Sequence, residues 1–71
     1  MIYYTKHAKK RMRQRGISQE KVENCLENYQ IIHKDPKGKT RYIYSYPDGS
    51  KVKVVVEEKA DNNLVIITVE D

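Results

Sequence analysis

At 71 residues the chain has room for a single small domain, residues 1–71, with a core modest enough that stability is marginal unless something staples the chain or it oligomerises. Its one cysteine, Cys25, excludes an internal disulfide and fits a reducing compartment. The net charge of +4 is unevenly spread: residues 6–15 carry six cations and no acid, while the remainder holds eight cations against ten acids, a balance of −2. One short basic segment of this kind attracts polyanions, and nucleic acid leads that class.

In chain order, residues 1–4 read as a short edge strand or an extended lead-in. Thr5 is suited to cap a helix and Gly16 to end one, which predicts a helix over residues 6–15 with its cations toward the C-terminal end of the dipole. Ser18 caps a second helix, in which Val22, Cys25, Leu26 and Tyr29 follow the i, i+3, i+4, i+7 period and Asn28 marks the stop. From there the period becomes alternating. Residues 30–34 are a strand, DPKGK a turn, and residues 40–46 a strand with Tyr42, Tyr44 and Tyr46 on one face and Arg41, Ile43 and Ser45 on the other. PDGS turns into a strand over residues 52–58, and ADNN turns into the last strand, 64–70. The expected architecture is α+β, with two N-terminal helices packed on one face of a three- to four-stranded antiparallel sheet.

Read face by face, the first helix has one apolar stripe, Ala8 and Met12. Lys6, Lys10 and Arg13 point away from it and, with Lys9, supply general positive charge for nucleic-acid binding. Arg15 lies nearly in line with the stripe, Arg11 on its flank, and His7 one turn before Arg11. A His–Arg–Arg row at such a boundary can grip phosphate, since each guanidinium offers a planar fork of donors. The alternative is that these arginines tie the helix to acids of the same fold, Glu57 or Glu58.

The alternating tyrosines admit two readings, a stacking platform for bases in which Tyr42 and Tyr44 take part, or packing beneath the helices. Thr68 stands where Val or Ile would serve packing equally, so its hydroxyl is either filler or part of a site. His7, Cys25 and His33 lack the paired spacing of a metal centre, no glycine-rich phosphate loop is present, and no metal or cofactor is expected. Apolar runs 54–56 and 64–67 are too short to span a bilayer and no signal-peptide pattern opens the chain, so a cytoplasmic protein without a membrane partner is expected.

The segment KHAKKRMRQRGIS, residues 6–18, together with the VVVEE strand and the final VITV-like run, resembles a small prokaryotic domain-of-unknown-function family, DUF4258. That family looks like a compact relative of the RelE-like ribonuclease toxins. The resemblance implies metal-independent RNA cleavage, by attack of a 2′-hydroxyl on the neighbouring phosphate. It further implies His7 in proton transfer, Arg11, Arg15 and Arg41 on phosphate, and Thr68 at the site. RNA, associated with the ribosome or free, is then the substrate, and an acidic antitoxin the protein partner. The competing expectation is a non-catalytic module that binds nucleic acid or protein, and a homo-oligomer joined through a strand edge is a further one.

Overall fold

The computed structural model describes residues 1–59 and 62–71. Seven elements follow in order: β1 (Ile2–Tyr4), α1 (Lys6–Arg15), α2 (Gln19–Asn28), β2 (Ile31–Lys34), β3 (Lys39–Ser45), β4 (Lys51–Lys59) and β5 (Asn63–Glu70). The expected ADNN turn falls across residues 60 and 61, which lie outside the described residues.

Both helices begin where a side-chain oxygen can take an orphan backbone donor. Ala8 N–H donates to Thr5 Oγ1 at 3.1 Å, and Lys21 N–H donates to Ser18 Oγ at 3.2 Å. α1 stops at Gly16, whose φ of +66° is the left-handed conformation that glycine adopts without strain, and the chain locks there through Ile17 N–H to Met12 O at 2.9 Å.

The sheet corrects the expected architecture. It has five strands in the order β1-β5-β4-β3-β2, and it is mixed: β1 runs parallel to β5, pairing Ile2 with Leu64 and Tyr4 with Ile66, while every other pair is antiparallel. The helices are therefore not the N-terminal elements of an antiparallel meander; they form the connection that carries the chain out of β1. A three-residue strand leaves too little alternation to show its partner or direction. Thr5 explains why it docks. Its N–H donates to Ile66 O at 3.2 Å and its hydroxyl to the same carbonyl at 2.8 Å, so the residue that caps α1 also fastens β1 to β5.

Both helices lie on one face of the sheet. Ala8, Ile17, Val22 and Cys25 pack there against Tyr42, Val52, Val54, Val56, Ile66 and Val69. Full burial of one such aliphatic side chain stabilises by about 1.5–3 kcal/mol. Ile66 and Val69 are both buried although three apart, because the β4–β5 register shifts by one residue between Val55 and Val56. This β-bulge turns Ile67 and Thr68 toward the other face.

Candidate nucleic-acid interface

The basic helix places four of its cations together. Lys6, Lys9, Lys10 and Arg13 follow the i, i+3, i+4, i+7 spacing and are all exposed, on the side of α1 opposite buried Ala8. The ridge from Lys6 to Arg13 is about 10 Å long at 1.5 Å per residue. Among the described residues no carboxylate pairs with any of the four, since the ion pairs are Arg15–Asp71, Lys53–Glu70 and Lys59–Glu57. Uncompensated like charges at i, i+4 repel one another, and an anionic partner would relieve that repulsion.

The other residues of α1 divide. Arg11 is half-buried, in keeping with its place on the flank of the apolar stripe. His7 is exposed one turn earlier. Arg15 is exposed as well, and its Nη1 lies 3.5 Å from Asp71 Oδ1, so it ties the helix end to the residue after β5. Its acid is thus Asp71; Glu57, on the far face, pairs with Lys59 at 2.8 Å instead.

Arg41 and Thr68 are not brought to this row. Arg41 alternates with buried Thr40 and Tyr42, so it stands on the face of the sheet that carries no helix. Thr68 reaches that same face through the bulge. The two flank Val55 in one lateral row, His33–Arg41–Val55–Thr68, across four strands. The expected set is thus split by the thickness of the sheet, with His7, Arg11 and Arg15 on the helix side and Arg41 and Thr68 on the other.

The tyrosines resolve toward packing. Tyr42 is 9% exposed and meets Tyr29 edge-on at 5.0 Å between centroids, which makes it part of the core and withholds its ring from stacking on bases. Burial raises its phenol above the ordinary value, and nearby Glu58 adds to that. Tyr44 and Tyr46 are half-buried, in a T-shaped pair at 4.9 Å with the Lys21 ammonium over the Tyr46 ring. Cys25, held under α2 with its Sγ–H toward Tyr42 O at 3.4 Å, is fully buried, and burial pushes its thiol up to about 11.

The hairpin joining β2 to β3 is a second basic patch that reading helix by helix passed over. Lys34, Lys37, Lys39 and Arg41 stand against the single acid Asp35, and His33 lies directly across from Arg41. Counting charge over residues 33–41 would have found it. His33, Lys34, Asp35, Pro36 and Arg41 line a shallow hollow there. Among the described residues no three His, Cys, Asp or Glu side chains converge as metal ligands, and no helix is long and apolar enough to cross a membrane.

No curated protein and no solved structure matches the chain. A family model does, over residues 4–71, so that the capped basic helix, α2 and the sheet all fall within it. The chain belongs to the family described as Domain of unknown function (DUF4258).

Proposed function

We propose that the protein binds single-stranded RNA along the sugar–phosphate backbone, through the Lys6–Lys9–Lys10–Arg13 ridge of α1. The observation that supports this reading is the ridge itself: four exposed cations on one helical face, unpaired among the described residues. A convex row of three ammonium groups and a guanidinium suits phosphates better than base edges, so the binding is expected to depend on salt and to be tolerant of sequence. Titration of a labelled RNA oligonucleotide followed by fluorescence anisotropy tests it. The affinity should fall with a log–log salt slope of about −0.7 per phosphate contact, and Lys9→Ala with Lys10→Ala should flatten that slope by about 1.4. Absence of binding at low salt would end the proposal.

A second reading, metal-independent cleavage of the bound RNA with inhibition by an acidic antitoxin, is favoured by one feature. Exposed His7 lies one helical turn from Arg11 at the edge of the ridge, so an imidazole able to move a proton stands beside a guanidinium able to hold phosphate. The measure is product formation from labelled RNA, with and without ribosomes, for wild type and His7→Ala. Cleavage that survives His7→Ala removes that residue's role, and no cleavage by the wild type leaves binding as the activity.

A further inference from the structure

Of the two edges of the sheet, the one formed by β2 is the more exposed. Every residue of β2 is exposed, and Tyr29, Ile31 and Ile32 show 43%, 46% and 38% of their surface to solvent. β1, at the opposite edge, instead packs Ile2 and Tyr4 against the core. The backbone of β2 is open in a defined pattern. Asp35 N–H donates to Lys39 O at 2.7 Å, in register with the His33–Arg41 and Ile31–Ile43 pairs, so the ladder to β3 runs through the odd-numbered residues; Gln30 N–H, just before the strand, also turns inward, to Ile43 O at 2.9 Å. Alternation leaves the N–H and C=O groups of Ile32 and Lys34 aimed away from the sheet. The Gln30 side chain strengthens this end of the hairpin, since its amide accepts from Ser45 N–H at 3.1 Å and donates to Ser45 O at 3.4 Å, as a further peptide group would.

We infer that β2 pairs antiparallel with β2 of a second copy across a two-fold axis, joining two five-stranded sheets into one of ten strands. The occupant follows from the edge's own chemistry. A strand must use the free groups of Ile32 and Lys34, and one symmetric register uses all of them. Placing Ile32 opposite the partner's Lys34 exchanges the N–H and C=O groups of both residues, with the two copies of His33 meeting on the axis and Ile31 beside the partner's Asp35. A two-residue slip one way brings Lys34 to the partner's Gln30, whose N–H is already given to Ile43 O, and the same slip the other way opposes the two copies of Lys34. The edge is self-complementary in one register, and that register covers Ile32. Its small size makes the association concentration-dependent. The α1 ridge lies over β5, at the other side of the sheet, and stays free.

Sedimentation equilibrium of the full chain tests the pairing. Wild type should approach twice the 8.4 kDa chain mass at high micromolar concentration and return to 8.4 kDa on dilution. Ile32→Pro removes only the N–H that points away from β3, a substitution an edge strand accepts, and should stay at the chain mass with an unchanged circular dichroism spectrum. Ile32→Lys keeps the N–H but opposes two ammonium groups across the axis and should also stay monomeric; it decides the matter if the proline variant unfolds. Wild type that remains at the chain mass up to millimolar concentration overturns the inference, as does a dimer that Ile32→Lys leaves intact.

Discussion

α1 and α2 each run for ten residues and each begins at a hydroxyl cap, yet they meet the sheet on different terms. α2 buries Val22 and Cys25 and lays Leu26 against the same core. α1 fully buries Ala8 alone, with Met12 partly packed beside it, and six of its ten residues are cations. A helix with so little apolar surface gains little from packing, and of its six cations only Arg13 and Arg15, in the last turn, are placed to gain from the dipole. What holds α1 is chiefly its start, where Thr5 is bonded at once to Ala8 and to Ile66; the exposed Arg15–Asp71 pair at its other end adds little. One helix is held by its face, the other chiefly by its cap. A helix held that way can change its outward face without loss of fold.

That contrast can be broken in several places. The largest effect should be chemical and on α2: Cys25 in the folded protein should react with a thiol reagent at pH 8 about two orders of magnitude more slowly than in denaturant, because burial favours the protonated form. The linked stability is whole below the thiol's ordinary 9.0 and is lost as the pH rises through about 11, so denaturant midpoints should fall over that window and the fall should be smaller in Cys25→Ala. Val22→Ala should cost about 2–3 kcal/mol in chemical denaturation, since it empties space between α2 and the sheet. Thr5→Ala should cost about 1–2 kcal/mol and raise hydrogen exchange at both the start of α1 and β1, a joint loss that a simple cap would not give. Asp71→Asn, at an exposed pair, should change stability by less than about 1 kcal/mol and less still in high salt. Smallest should be Lys10→Ala and Arg13→Ala, each within about 0.5 kcal/mol of wild type in stability.

The helices were legible because their signals are local: Thr5 and Gly16 bracket one, and Ser18 with the period of Val22, Cys25, Leu26 and Tyr29 defines the other. β3 and β4 were legible from alternation, down to which face the tyrosines share. β1 was half legible, as a short strand without a partner, since pairing with Leu64, Val65 and Ile66 leaves no mark within three residues. The exposure of the candidate residues was legible on α1 for Lys6, Lys10 and Arg13 against half-buried Arg11, though not for Arg15, which was expected nearly in line with the apolar stripe and is exposed beside Asp71. Beyond α1 it was not. Whether Arg41 joins His7 depends on which face the helices cover, and Thr68 reaches its face only through a one-residue bulge. The period of a strand divides its residues into two sets without saying which set is covered.

The hydrogen bond from Thr5 to Ile66 spans 61 positions of the sequence. The seat of α1 is therefore made late, both in synthesis and in folding, because closing so long a loop is entropically unfavourable until β4 and β5 have paired. Until then the basic helix has neither its fastening to β5 nor its tie to Asp71, and ten residues rarely hold helical shape unaided. A chain interrupted anywhere before β5 would carry the cations without the fastening that aligns them, so completion of the last strand is also what sets the row in place.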